Sequence, residues 1–185
     1  MSNNPLSPLW ANIFNRKLTQ QERIATLWAD TPLFRGVPKR EIRNLADHMH
    51  PRRYQPEEVI FHDGDLGVGA ALILSGSVDI RSGASTIVTL EAGDFFGEVA
   101  LVAEETRTAD AVAATDAELV FFLRLDLDEW LERKPRLGAR MVVNLASVLA
   151  KRLGHANQRL REFQEAAPCD RQDSAAAAAG MAKAS

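Results

Sequence analysis

Short apolar segments separated by glycine turns fill the middle of this chain, and they constrain its fold more than any other feature. The segments are rich in β-branched and aromatic residues, a composition typical of strands. Turn residues such as Ser75-Gly-Ser77 and Ala92-Gly-Asp94 separate them. The pattern predicts an antiparallel sandwich or jelly-roll β-barrel. The predicted strands contain Tyr54, Val59–Phe61, Ala70–Leu74, Val78–Ile80, Ile87–Leu90 and Leu119–Leu123.

Helical patterns flank this region on both sides and make the expected fold class α+β, mainly β. Thr19-Gln-Gln-Glu22 has the form of a capping box and predicts a helix near 20–29. Pro38 is expected to open a second helix that Pro51 ends. Asp126 is expected to cap a short helix, which a longer one follows. The predicted division is a helical segment over 1–50, a barrel over 51–125, C-terminal lid helices over 126–165 and a disordered tail over 166–185.

Composition argues against several functional classes. The 22 Lys and Arg residues against 25 Asp and Glu give a net charge of −3, without the basic excess typical of DNA-binding proteins. The single cysteine, Cys169, cannot form an internal disulfide, and His48, His50 and His62 lack the spacing of a metal site. No signal peptide is evident, and no apolar run approaches the ~18 residues of a membrane span. We expect a cytoplasmic protein without metal, catalytic motif or direct DNA binding.

One segment, Gly93 to Val102, interrupts the strand pattern. A glycine followed by small residues, as at Gly97, can begin a very short helix whose first N–H groups point at an anion. Arg107 is placed to close over the same anion with a bidentate, charge-assisted pair. Glu98 would repel a phosphate but suits a sugar hydroxyl as a hydrogen-bond acceptor. Together these side chains describe a site for a phosphate joined to a ribose.

The motifs Gly97-Glu98, Ala100-Leu101 and Arg107-Thr108-Ala109 resemble the phosphate-binding cassette of the cyclic-nucleotide-binding domain. That domain is found in catabolite-activator-type regulators, kinase regulatory subunits and cyclic-nucleotide-gated channels. The resemblance covers roughly residues 31–160, with the cassette at 93–109. It implies that the glycine lets the backbone approach the ligand closely.

The resemblance also implies a role for each cassette side chain or amide. Glu98 would bind the ribose 2′-hydroxyl, while Val99 and Ala100 would donate backbone amides to the cyclic phosphate. Arg107 would pair with an exocyclic phosphate oxygen, and Thr108 would contribute its hydroxyl or its amide. The expected ligand is therefore a cyclic mononucleotide, and no cofactor is expected.

The identity of the base stays open between adenine and guanine. The hydroxyl of Thr108 suits contact with guanine and favours cGMP. In the family, the long C-terminal helix caps the base, and Asn157, Arg152 and Leu153 are the candidates here. An asparagine offers both a donor and an acceptor to an adenine edge, which favours cAMP. The alternative is a module of the same fold that binds a cyclic dinucleotide, or no nucleotide, and serves as an interaction scaffold.

The expected output is contact with an unidentified protein partner, because no DNA-reading helix can be built from 166–185 and no output domain is expected. We expect the 126–164 helices to close over the base as a lid and the 20–50 helices to re-pack. The amphipathic segment 6–14 is a candidate part of the altered surface. A homodimer through the long helix is the other option. Its Val142, Leu149, Ala156 and Phe163 keep a seven-residue spacing, although Arg152 interrupts the companion row.

Overall fold

The computed structural model describes residues 19–166 and contains eight strands among helices and short 3₁₀ turns. The chain divides into two compact units, of which the first ends at Ala146 and the second begins at Ser147. The elements are α1 (Gln20–Asp30), a 3₁₀ turn (Pro32–Phe34), α2 (Lys39–Ala46), β1 (His50–Tyr54), β2 (Val59–Phe61), β3 (Gly69–Ser75), β4 (Ser77–Ser82), β5 (Ser85–Glu91), β6 (Phe95–Phe96), a 3₁₀ turn (Glu98–Leu101), β7 (Asp110–Ala113), β8 (Ala117–Leu123), α3 (Arg124–Arg133) and α4 (Pro135–Ala166).

The strands form two antiparallel four-stranded sheets, with strand orders β1-β8-β3-β6 and β2-β7-β4-β5. Residues from both sheets build one apolar core between them: Ala71, Ile73, Val78, Phe96, Ala111 and Leu119. The mainly β, antiparallel prediction is confirmed, because the short apolar segments become strands that bury one face against this core.

The N-terminal helices cover the outer face of the β1-β8-β3-β6 sheet. The predicted capping box is formed, with Glu22 N donating to Thr19 Oγ1 at 3.2 Å and Thr19 N to Glu22 Oε2 at 3.0 Å. In α1, the fully buried Trp28 ring lies 5.3 Å from Phe34 and 6.2 Å from Phe122, measured between centroids. Helices on one face and the core on the other explain why β3 is buried along almost its whole length.

Two predicted helix boundaries are wrong. The second helix ends at Ala46 rather than at Pro51, which lies inside β1. Because β1 is an edge strand, a proline is tolerated there without loss of a ladder bond. Asp126 does not precede the third helix but lies in its first turn, where its Oδ2 accepts a bond from Leu123 N at 3.0 Å.

Two strands were not predicted, and two predicted segments lie outside the described residues. The β6 strand has only two residues, and the alanine content of β7 hides its strand character. The amphipathic segment 6–14 and the tail from 167 to 185 are not described, so those predictions stay open. No helix within 19–166 is long and apolar enough to cross a membrane.

Candidate functional site

Gly97 links β6 to the short 3₁₀ turn, as predicted for a glycine that begins a very short helix. Its φ of +72° lies in the left-handed region, which glycine adopts without steric cost. A Cβ at this position would lie 2.5 Å from Nη1 of Arg107, closer than real contacts allow. The glycine therefore turns the chain and also leaves room for the guanidinium, a second role that the sequence did not reveal.

The half-buried guanidinium of Arg107 is held by two backbone carbonyls and an aromatic ring. Nη1 donates to Gly97 O at 3.2 Å, and Nη2 donates to Gly69 O at 2.9 Å. The Cζ atom lies 4.2 Å from the centroid of the Phe61 ring. A guanidinium carries five N–H donors, so these two bonds leave three for a ligand.

The charge of Arg107 is not neutralised by a direct ion pair. Within residues 19–166, no carboxylate oxygen lies within 4 Å of its guanidinium nitrogens. Burial lowers the pKa of Arg107, while the negative charges of Glu98 and Asp65 oppose that shift. The group nevertheless stays protonated at physiological pH. A fixed, partly desolvated cation of this kind is suited to bind an anion.

The 3₁₀ turn places Glu98, Val99 and Ala100 beside this cation. The side chain of Glu98 is buried, with 3% of the residue exposed, whereas Val99 is 45% exposed. The first hydrogen bond of the turn runs from Ala100 N to Gly97 O at 3.2 Å. The amides of Glu98 and Val99 precede that bond and take no part in it. The Ala100 amide, implied by the resemblance as a phosphate donor, is engaged within the turn, so a ligand would have to share or replace its bond.

The loop before β3 runs alongside the segment that carries Arg107 and fixes its backbone. Arg107 N donates to Asp65 O at 2.8 Å, and Gly64 N donates to Arg107 O at 2.9 Å. Gly67 N donates to Glu105 O at 3.1 Å. This pairing depends on contacts more than 35 residues apart in sequence and was not predicted.

A carboxylate anchors the start of the same loop. Asp110 Oδ1 accepts a bond from Asp63 N at 3.0 Å and lies 3.3 Å from His62 Nδ1. The bond from Asp63 N and the contact with His62 hold the pKa of Asp110 below its usual value. The loop is therefore tied at both ends to the segment from Glu105 to Asp110.

The remaining predicted site residues lie in two places. Thr108 is exposed and Ala109 is half-buried, directly after Arg107 in the same segment. Asn157 lies on an exposed part of α4 in the second unit, and its contact with the base stays a prediction. Sequence reasoning missed Phe61 and Gly69. Across residues 19–166, no cluster of three or more His, Cys, Asp or Glu side chains could hold a metal ion.

Comparison with known proteins identifies the domain in which this site lies. Residues 51–134 match the family model of the cyclic nucleotide-binding domain. The chain contains a cyclic nucleotide-binding domain. The matched residues include the cassette and both of its charged side chains, Glu98 and Arg107.

Two curated relatives share this domain. The chain is 34% identical over 143 residues to the cyclic AMP receptor protein of Thermus thermophilus, covering 74% of this chain and 64% of the relative. It is 30% identical over 111 residues to a cAMP-dependent protein kinase regulatory subunit of Schizosaccharomyces pombe, covering 60% of this chain and 27% of the relative. The chain thus spans less than two thirds of the length of either relative.

A solved structure confirms the fold. The crystal structure of the Thermus thermophilus catabolite activator protein superposes with a TM-score of 0.63 at 35% identity, covering 72% of this chain and 63% of that one. The predicted jelly-roll architecture with flanking helices is confirmed, as two packed four-stranded sheets.

Proposed function

We propose that this protein is a receptor for a cyclic mononucleotide, cAMP or cGMP, and that it signals through a protein partner rather than by catalysis. The observation that carries the proposal is the state of Arg107. Its guanidinium is fixed by two carbonyls and a ring, and it lies beside the turn that begins at Glu98. Among residues 19–166 it has no direct carboxylate partner. A cyclic phosphate would supply the missing negative charge.

Each part of the cassette has a role in this proposal. Arg107 binds an exocyclic oxygen of the cyclic phosphate, and the Val99 amide donates to the same group. Glu98 accepts a hydrogen bond from the ribose 2′-hydroxyl, and its burial strengthens that bond because water competes less. Thr108, which is exposed, adds its hydroxyl or its amide.

The two relatives favour cAMP over cGMP as the ligand, because both are named for that nucleotide. The Asn157 side chain, which can both donate and accept, favours the same base. We therefore propose cAMP as the first ligand, with cGMP as the alternative that the hydroxyl of Thr108 keeps open.

The output is proposed to be a change in the helices that follow β8. Arg124, the first residue of α3, pairs with Glu104 of the cassette at 2.9 Å, and its backbone N donates to Val68 O at 3.0 Å. A shift of the cassette on binding would therefore pull on α3. Asn144, in the first part of α4, donates to the carbonyl oxygens of Leu33 and Arg35, which connects that part of α4 to the N-terminal helices.

The surface read by the partner is proposed to lie on the second unit. Leu153 and Leu160 are 62% and 57% exposed. Leu153 follows Leu149 by four residues, and Leu160 follows Ala156 by four residues. Such a row of apolar positions is typical of contact with another helix, and Arg152 lies beside it. The alternative is that a second copy of this chain binds the same surface and forms a homodimer. Light scattering after size-exclusion chromatography distinguishes a different protein partner from a second copy of this chain. If the wild type is a dimer and Leu153→Glu is a monomer, the surface binds a second copy.

Calorimetric titration of the nucleotide-free protein tests the ligand directly. We expect binding of cAMP or cGMP and much weaker binding of 5′-AMP, whose phosphate carries an additional negative charge and is not part of a ring. A folded protein that binds neither cyclic mononucleotide contradicts the proposal. Cyclic dinucleotides would then be titrated, and failure to bind these as well would favour a scaffold.

A further inference from the structure

Phe61, the last residue of β2, lies beneath the guanidinium of Arg107. The 4.2 Å between the ring centroid and Cζ falls well inside the ~6 Å range of cation–π contacts. The register of β2 with β7 pairs Phe61 with Ala111, four residues after Arg107. The pairing of these two strands therefore brings the ring and the guanidinium together.

The ring and the two carbonyls restrict different motions of Arg107. Guanidinium N–H bonds lie in the plane of the group, so the bonds to Gly69 O and Gly97 O fix its rotation within that plane. The ring covers a face and limits tilting. An arginine side chain without such support loses considerable rotamer freedom on binding a ligand, and that loss weakens affinity.

The position of the Phe61 ring is itself fixed by the core. The ring packs against the buried cluster between the two sheets, and its centroid lies 5.9 Å from that of Phe96. Phe96 directly precedes Gly97, whose carbonyl accepts a bond from Arg107. The support of the arginine is therefore continuous with the rigid part of the fold.

We propose that Phe61 is a positioning residue of the nucleotide site, which holds Arg107 in the orientation that binds the cyclic phosphate without touching the ligand. The inference rests on the proposed function. It predicts that the loss of the ring weakens nucleotide binding through Arg107 alone.

The test compares Phe61→Leu with Phe61→Tyr and with a matched control, Phe121→Leu. Phe121 is also partly buried against the same core cluster, but it lies in β8 and makes no cation–π contact among the described residues. Titration with cAMP and cGMP is expected to show a roughly two- to thirtyfold loss for Phe61→Leu. Phe61→Tyr and Phe121→Leu are expected to bind within about twofold of the wild type. Scanning calorimetry verifies folding, and Phe61→Met replaces Phe61→Leu if the latter does not fold.

A double-mutant cycle with Arg107→Lys separates positioning from general loss of packing. If Phe61 acts through the guanidinium, Phe61→Leu causes little further loss of affinity once Arg107→Lys is present. The inference is overturned if Phe61→Leu lowers nucleotide affinity equally in the presence of Arg107 and of Arg107→Lys. It is also overturned if a folded Phe61→Leu protein with Arg107 intact binds the nucleotide with wild-type affinity. In either case the proposed function stands. A wild type that binds neither nucleotide overturns the proposed function, and the inference with it.

Discussion

Two arginines near the β2-β7-β4-β5 sheet show how differently one fold can use the same side chain. Arg81, in β4, is surrounded by carboxylates: it bonds both oxygens of Glu57 at 3.0 and 3.2 Å and Asp79 at 3.0 Å. The guanidinium of Arg107, just before β7, bonds only the carbonyl oxygens of Gly97 and Gly69 within the described part of the chain. Both arrangements rely on a left-handed residue, with φ of +65° at Glu57 and +72° at Gly97.

The pKa values of Arg81 and Arg107 shift in opposite directions, in line with their different partners. The bonds to Glu57 and Asp79 raise the pKa of Arg81, whereas burial lowers that of Arg107. A guanidinium paired with carboxylates is neutralised within the fold, while one held by uncharged carbonyls keeps its positive charge for a ligand. In the proposed function, Arg81 therefore serves stability and Arg107 serves binding.

The largest expected effect separates the two arginines by substitution. Arg107→Ala should weaken binding of the cyclic nucleotide by about 2–5 kcal/mol, because it leaves the phosphate without its cationic partner. Arg81→Ala should leave the affinity unchanged and lower the melting temperature. Calorimetric titration and thermal unfolding of both variants measure the two effects. Equal losses of nucleotide affinity in Arg107→Ala and Arg81→Ala would contradict the proposed difference between the two arginines.

The second prediction concerns the space that Gly97 leaves for Arg107. Gly97→Ala should cost about 1–2 kcal/mol of stability from its positive φ and should also reduce affinity, because the new methyl group displaces Nη1. Gly83→Ala is the matched control, since Gly83 has a φ of +56° and no atom within 4 Å of a built Cβ. Gly83→Ala should lower stability without changing nucleotide affinity. Wild-type affinity in Gly97→Ala would show that the guanidinium position does not matter.

A smaller effect is expected at Glu57, whose backbone is strained. Glu57→Ala removes the pair with Arg81 and keeps the positive φ, whereas Glu57→Gly removes the pair and relieves the backbone. The glycine variant should therefore melt at a higher temperature than the alanine variant. Neither should change nucleotide affinity. The opposite order of melting temperatures would mean that this turn stores no strain.

The smallest effect is a dependence of stability on acid pH. The bonds from Thr89 Oγ1 and Arg81 hold the pKa of Asp79 below its ordinary 3.8. A carboxyl whose pKa is lower in the folded state stabilises the fold above the ordinary pKa, and this contribution disappears as the pH falls through the folded value. Melting temperatures of Asp79→Asn should fall less steeply below about pH 4 than those of the wild type. Identical pH profiles would refute the assignment.

The features that could be predicted from the sequence are local, whereas those that were missed depend on contacts between residues far apart in the chain. The strands around Ile73 and Val78 follow from short apolar segments and glycine turns, and Glu98 and Arg107 stand out within one short segment. The support of Arg107 escaped prediction because it consists of a backbone oxygen of Gly69 and the ring of Phe61, which lie 38 and 46 residues earlier in the chain. The register of β2 with β7 brings the Phe61 ring to Arg107. The pairing of the loop before β3 with the segment that carries Arg107 brings the Gly69 carbonyl there.

The central claim is that the charge of Arg107 binds a cyclic phosphate, and a crystal structure with the nucleotide selected by titration tests it most directly. The account predicts an exocyclic phosphate oxygen at about 2.7–2.9 Å from a guanidinium nitrogen of Arg107. It also predicts the ribose 2′-hydroxyl within hydrogen-bonding distance of Glu98. A nucleotide bound elsewhere, with the guanidinium still bonded only to the carbonyls of Gly69 and Gly97, would contradict it.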